Sequence, residues 1–477
     1  MYKFKTEPYE HQKDALKKCY DKEAFAIFAE MGTGKTKIAL DNACILYNQG
    51  KIDRLLVVAP KGAYMTWFDQ EIPTHVPDYI EKKVVIWKQS TSQKYMSELR
   101  SMMNNNFELK IMIMNVEAFS SKRGVDFARL FLIGRSMMIV DESTTIKNPK
   151  AKRTKAILEL SNETHYRRIL TGSPVTQSPL DLWAQMDFLD PYILGQSSYY
   201  AFRTRYAVVI EATAAGGTHR YQKIVKFKNL KELGKTVSPH SYRILKKECL
   251  DLPDKVYSKR FVELSDEQKK AYAEMKANAM SILKGESMTA VNVLTQLIRL
   301  HQITCGHMKT DSHQVIDLKN NRLTELMQIL DETSGKAIIW ANYIHDIEAI
   351  EKAVKKEFGN DSCCTYYGAT AAEDRQKCVN NFQDPDSPVR FFIGNTQTGG
   401  YGLTLTAAST VIYYSNNYDL EKRIQSEDRA HRIGQTNKVL YIDLIAEGTV
   451  DEKIIKSLRN KVNIAKEISG EELITWI

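Results

Sequence analysis

Short apolar runs alternate with helical stretches along the first third of the chain, and this alternation limits the fold more than any other feature. Ala24–Ala29 ends at a glycine-containing turn, and a helical pattern follows over residues 35–47. The run recurs at residues 54–60, Leu109–Asn115, Ser136–Asp141 and residues 168–171. Strands so continuously apolar are buried on both faces, which indicates a parallel sheet between two layers of helices. The same grammar returns at Lys336–Trp340 and at residues 390–394, 410–414 and 439–443. From Leu189 to about Leu330 the chain reads as mainly helical and more charged, with residues 212–218 as a small, flexible loop. The expectation is an α/β protein: lobes at residues 1–190 and 331–477, and helical insertions at 191–250 and 251–330.

Composition narrows the class. At 477 residues the chain holds about three domains' worth of sequence. No apolar run approaches the ~20 residues that span a bilayer, and the N-terminus lacks the apolar stretch of a signal peptide. Membrane and secreted classes are excluded on this reading, and the cytoplasm is the expected compartment. The cysteines are scattered with no C-x-x-C pair, so neither a disulfide framework nor a zinc ribbon is expected. His301, Cys305, His307 and His313 form the one possible ligand cluster, and their irregular spacing argues against a metal. A net charge of +9 suits a polyanionic partner without identifying it.

Chemistry enters at Ala29-Glu-Met-Gly-Thr-Gly34-Lys35-Thr36, between a strand and a helix. This fits the Walker A pattern with Ala in the first Gly position. Small residues (Gly32, Thr33 and Gly34) let backbone N–H groups wrap the β- and γ-phosphates. Lys35 neutralises them, the Thr36 hydroxyl holds Mg²⁺, and the helix N-terminus favours an anion. A hydrolase of this kind needs acids at another strand end. Asp141 and Glu142 supply them, the first for Mg²⁺ and the second to orient and deprotonate water.

Five stretches in order then resemble superfamily 2 helicases: Gln12, Gly34-Lys35-Thr36, Asp141-Glu142-Ser143-Thr144, Leu170-Thr-Gly-Ser-Pro174 and the run from Gln425 to Gln435. Val58-Ala-Pro60 with Trp67 and Glu71, Lys147-Asn148, residues 170–189 and Gly399-Gly-Tyr-Gly402-Leu403 make the chain more similar to SWI/SNF-type DNA translocases, especially compact bacterial or viral members. The resemblance covers residues 8–452. It implies two RecA-like lobes and an ATPase using ATP and Mg²⁺, with Lys35, Asp141 and Glu142 catalytic. Gln12 would read adenine, and Gly402 would lie at the nucleotide. Arg429 and Arg432, three apart on an expected helix, would act as arginine fingers. Thr171, Ser173 and Gln425 would couple phosphate state to lobe movement.

Lys61, Lys147, Asn148, Asn395, Thr396 and Thr398 are candidate contacts to double-stranded DNA, mainly its backbone phosphates and hence largely independent of sequence. A monomer is expected, with any recruiting protein unspecified. Two departures stand out: Thr144 where the family commonly has His, and Asn416-Asn417-Tyr418 where many members carry Trp-Asn-Pro. The implied function is ATP-dependent movement along duplex DNA with remodelling of protein–DNA or branched DNA. A strand-separating DNA or RNA helicase and an ATP-gated clamp with little turnover remain the alternatives. Because the flank of Gly216-Gly217 is small and weakly patterned, no wedge hairpin is expected, so tracking without unwinding is anticipated.

Overall fold

The computed structural model describes residues 2–61, 63–90, 92–104, 108–213, 220–249, 251–284, 290–309, 314–398 and 403–469. Two compact units divide the chain, one mainly Met1–Ala207 with Phe227–Asp251, the other mainly Val208–Lys226 with Leu252–Asn463.

In the first half the strands are β1 (Ala24–Ala29), β2 (Arg54–Ala59), β3 (Lys82–Ile86), β4 (Leu109–Asn115), β5 (Ser136–Asp141), β6 (Tyr166–Thr171), β7 (Ala207–Thr213), β8 (Arg220–Phe227) and β9 (Ser241–Ile244). Seven of them build one sheet in the order β3-β4-β2-β5-β6-β1-β9. Every pairing in it is parallel, with Ile27 opposite Leu170 and Asp141 opposite Leu170 on the other side. The sheet core joins Ile27, Val57, Ile111 and Ile139 to Ile38, Leu40 and Trp67 on the helical layer. Arg168 is fully buried in the first unit, where its guanidinium donates to Asn42 and to the carbonyls of Cys19, Lys22 and Glu23. Saturating its donors in this way makes a buried cation tolerable.

The second half adds β10 (Lys255–Val262), β11 (His307–Lys309), β12 (Val315–Asp317), β13 (Lys336–Trp340), β14 (Cys363–Tyr366), β15 (Phe391–Gly394), β16 (Ala408–Tyr413) and β17 (Val439–Ala446). Six of these form a second parallel sheet, β10-β17-β16-β13-β15-β14. Separate apolar clusters cover its two faces, one around Ile339, Ile393 and Ile412, the other around Trp340, Phe392 and Val411. The expected α/β architecture of two parallel-sheet lobes is present. No helix among the described residues is long and apolar enough to cross a membrane.

Three expectations need correction. The stretch 189–330 is helix-rich, as expected, but it also contains the strands β7 to β12, of which β9 and β10 extend the two sheets at their edges. Edge strands meet solvent and carry polar residues, as in Lys-Val-Tyr-Ser-Lys-Arg-Phe-Val of β10, so they lack the buried-strand pattern. Second, β7 and β8 form a two-stranded sheet. So short a connection permits only the antiparallel arrangement, a hairpin. The Gly216-Gly217 turn itself lies outside the described residues. Third, Cys364 on β14 and Cys378 on the helix Ala372–Gln383 are joined in a disulfide, their Cα atoms 5.5 Å apart. Sequence separation alone does not reveal that this strand and helix stack.

Candidate active site

The phosphate-loop geometry follows from two glycines. Gly32 and Gly34 have φ of 83° and 82°, a region open to Gly at no steric cost. Gly34 caps the helix Lys35–Asn48, and the loop between β1 and that helix is closed by Thr33 Oγ1 donating to the Glu30 carbonyl at 2.7 Å. A Cβ on Gly34 would collide with the Gln12 side-chain amide. Gln12 is buried, donating to the Thr33 carbonyl at 3.2 Å and accepting from the Tyr9 amide at 3.0 Å. His11, stacked on exposed Tyr9, also reaches the Thr33 carbonyl, at 2.9 Å. Gln12 and His11 thus form one wall of the loop. Thr36 is half-buried in the first helical turn.

Order β5-β6-β1 sets three strand ends side by side: the phosphate loop, Asp141-Glu142 and Thr171-Gly-Ser173. Lys35 Nζ lies 3.2 Å from Glu142 Oε1, both nearly buried. Asp141 is held at both oxygens, by Trp67 Nε1–H at 2.8 Å and the Glu142 amide at 2.9 Å. Burial, and then the adjacent Glu142 carboxylate, push the Asp141 acid up to about 6, against the pull of Lys35 and of the indole. Glu142 itself has φ 44° and ψ 62°. A non-glycine residue in that left-handed region costs about 1–3 kcal/mol and persists where its neighbours over-determine it. Here the Thr145 amide bonds to the Glu142 carbonyl at 2.9 Å, and Ser143 Oγ donates to Gln185 Oε1 at 2.7 Å.

Around Thr171, Gly172 and Ser173 the chain returns to the phosphate loop. The Ser173 amide donates to Thr171 Oγ1 at 3.1 Å, and Arg243 on β9 donates to the Gly172 carbonyl at 2.7 Å. Of the DNA candidates in this unit, Lys61 is exposed just past β2 and Asn148 is exposed. Lys147 is half-buried, with Nζ donating to Thr176 Oγ1 at 2.8 Å.

In the second unit the helix expected to carry both arginines stops at Glu427. Arg429 and Arg432 lie in the following turns, because Lys255, Tyr257 and Arg423 fasten Glu427 and His431 reaches the Pro253 carbonyl. The pair still converges, since each guanidinium donates to the Leu403 carbonyl, at 3.3 and 3.1 Å. Gly402 and the rest of residues 399–402 lie outside the described residues. Gln425 is buried with its amide toward Glu421.

The polar loop after β15 turns inward. Asn395 donates to the Asn342 carbonyl at 2.8 Å and accepts from the Gln397 amide at 2.7 Å, and Thr396 is buried. The Asn395 side chain thus bridges its own turn to residue 342, and Thr398 is half-buried. Asn416 holds Asp443 and Arg423 inside the unit. His301 bonds Tyr343 and His307 faces Asp346, while His313 lies outside the described residues. Sequence reasoning did not give Gln185 a role, nor Trp67 its contact with Asp141. Both lie within the stretches that carry the resemblance, but their partners come from tertiary structure.

The SNF2-related domain matches residues 11–309, more than half of the chain, and the helicase conserved C-terminal domain matches residues 318–434. A similar protein is the SWI/SNF chromatin-remodeling complex subunit snf22 of Schizosaccharomyces pombe, 29% identical over 346 residues, covering 69% of this chain and 20% of that one. Another is the ATP-dependent helicase MG018 of Mycoplasma genitalium, 25% identical over 462 residues, covering 93% and 41%. The chain therefore spans between a fifth and about two fifths of the length of these relatives. Among solved structures, the Sulfolobus solfataricus SWI2/SNF2 ATPase core in complex with dsDNA aligns with a TM-score of 0.43 at 22% identity, covering 98% of this chain and 95% of that one. With its phosphate loop and acidic pair on adjacent strand ends, the chain belongs to the SNF2-related family of helicase-superfamily ATPases.

Proposed function

We propose that this chain hydrolyses ATP to move along double-stranded DNA, displacing or rearranging what is bound there. The observation that carries the reading is the Lys35–Glu142 ion pair beside doubly anchored Asp141, at the mouth of a glycine-built phosphate loop. A γ-phosphate brings more charge to Lys35 than one carboxylate does. Lys35 then turns to the phosphate, and Glu142 is released to orient water and take its proton. Mg²⁺, when bound with the nucleotide, would be held by Thr36 and Asp141 and would neutralise charge on the phosphate oxygens. Hard oxygen donors suit that ion. Arg429 and Arg432 are proposed to supply charge to the γ-phosphate, a reading supported by their shared aim at the Leu403 carbonyl. Such a residue is worth roughly 10³–10⁵ in rate.

Duplex DNA as the track is supported by family membership and by the basic run Lys147, Lys150, Lys152, Arg153 and Lys155. ATPase rates measured with duplex DNA, single-stranded DNA and RNA test it, with the largest stimulation expected from duplex. Lys35→Ala should abolish hydrolysis, whereas Glu142→Gln should bind ATP without turning it over. Normal turnover in either folded variant would remove the site.

A second reading, strand separation, is favoured by the β7–β8 hairpin with its exposed Val208, Ile210 and Val225, because an apolar hairpin is a shape that can split base pairs. Paired displacement assays separate the two. Release of a third strand without duplex unwinding supports translocation alone, and efficient duplex unwinding supports the second reading.

A further inference from the structure

We infer that the segment from Pro174 to Gln185 is a mechanical link within the first unit, joining the Lys147 ammonium to the Glu142 turn, with Gln185 as its positioning residue. The inference rests on the function proposed above, since it takes DNA at Lys147 and hydrolysis at Glu142 as given.

Gln185, on the helix Leu182–Leu189, is completely buried. Its Oε1 accepts from Ser143 Oγ at 2.7 Å, and its Nε2 donates to the carbonyls of Pro174 and Asp181, both at 2.8 Å. A carboxamide has two N–H donors and one acceptor oxygen, so these three bonds fix which way the amide faces. Ser143 directly follows Glu142, whose left-handed backbone depends on its neighbours. One end of the link therefore bears on the residue proposed to activate water.

The other end is a clasp built by Asp181. Its Oδ2 accepts from the amides of Thr176 at 3.0 Å, Gln177 at 2.7 Å and Ser178 at 3.4 Å, and from the Thr176 hydroxyl at 3.3 Å. Lys147 Nζ donates to that same hydroxyl at 2.8 Å. Four bonds on one carboxylate oxygen make the turn stiff, because breaking any of the buried ones leaves a polar group without a partner. A phosphate drawing on Lys147 therefore shifts the clasp as a unit. Gln185, bonded to the Asp181 carbonyl and to Ser143, passes that shift to the Glu142 turn. A direct path also exists, since the Lys147 amide bonds to the Thr144 carbonyl at 3.2 Å. What the clasp adds is a side-chain route that opens with the Lys147 ammonium itself.

The test measures ATPase with and without saturating duplex DNA, together with ATP KM, duplex affinity and melting temperature. Wild type is compared with Thr176→Val, Thr176→Ser, Ser143→Ala, the Thr176→Val/Ser143→Ala pair and Gln185→Met. Thr176→Val removes only the hydroxyl at the Lys147 end. It is expected to lower the DNA-stimulation ratio by about fivefold or more, the lower bound of typical coupling between sites. Unstimulated turnover and ATP KM should hold, and Thr176→Ser should restore the ratio. The double variant should lose less than the product of the single losses, as for residues in one network. Should Gln185→Met fail to fold, the two end variants carry the test.

An unchanged ratio in Thr176→Val overturns the link. So does a change in duplex affinity alone, or an equal fall in basal and stimulated rates with lowered melting. A wild type that hydrolyses ATP without responding to DNA refutes the proposed function, and the link with it. A responsive wild type whose Thr176→Val and Ser143→Ala variants keep the full stimulation ratio refutes the link alone.

Discussion

Trp67 reaches Asp141 from a short π-helical turn, Trp67–Glu71, and is itself almost wholly buried. Its indole donates to the oxygen that the backbone leaves open, so Asp141 cannot swing about its terminal torsion. Trp67→Phe keeps most of the packing and deletes the donor. A hydrogen bond to a charged group is worth about 1.5–3 kcal/mol, so turnover should fall about 10- to 100-fold. Titration of Mg²⁺ against the fixed nucleotide should show weaker binding, and unchanged Mg²⁺ affinity would mean that the indole only fills space. At this scale the residues whose chemistry needs a rare backbone or a strand end were legible. Gly34-Lys35-Thr36 and Asp141-Glu142 are examples. Polar residues in loops were not. Asn395 and Thr396 read in sequence as polar groups able to meet DNA, yet Asn395 donates to the Asn342 carbonyl and Thr396 is buried. Composition cannot say which way a loop side chain faces.

Among elements, the strands named from sequence are the interior members of the two sheets, and β3, β9, β10 and β14 at the edges are the ones missed. The physical reason is common to all four. An interior strand of a parallel sheet is largely apolar, whereas these edge strands are short or dilute their apolar residues with polar and charged ones. The β7–β8 hairpin escaped for a related reason: Val208, Ile210 and Val225 are 37%, 45% and 50% exposed, so no buried face imposes an alternation. Lys228 N–H donates to the Tyr206 carbonyl at 2.9 Å, which brings the chain ends together at the hairpin base. Replacing residues 208–226 with a two-residue turn should therefore leave the helices Tyr199–Tyr206 and Leu230–Val237 in place. DNA-stimulated hydrolysis should survive this deletion, and any duplex unwinding should disappear. Unwinding that persists would discard the hairpin as a wedge.

At the scale of the whole molecule, each unit has its own sheet and its own apolar core, so unfolding in more than one step is expected. The second unit should also carry a pH sensitivity. His301 bonds Tyr343 at 2.9 Å, lies 3.7 Å from Asp451, and has Arg322, His307 and Asp346 nearby. Burial holds its pKa below the usual 6.5, outweighing the pull of Asp451. Below about pH 6.5 the unfolded chain takes up a proton that the folded one refuses, so stability is full above that pH and falls as acid is added. One such proton changes stability by up to about 1.4 kcal/mol per pH unit, equivalent to about 3–5 °C in a domain of this size. Calorimetry between about pH 7.5 and about 5.5, either side of the free imidazole's value, should show the second unit's transition falling with acid, and His301→Gln should flatten that fall. A transition that stays put would reject the assignment. The sheet order carries a last consequence, for synthesis on the ribosome. β9 seals the first sheet beside β1 only after Ile244 has emerged, and β10 must wait for β17, ending at Ala446, before its edge is paired. The nascent first lobe can close while the second is still being translated. The strand that opens the second lobe waits unpaired through most of its own synthesis, and at 5–20 residues per second that is a window on the order of ten to forty seconds in which a chaperone has something to hold.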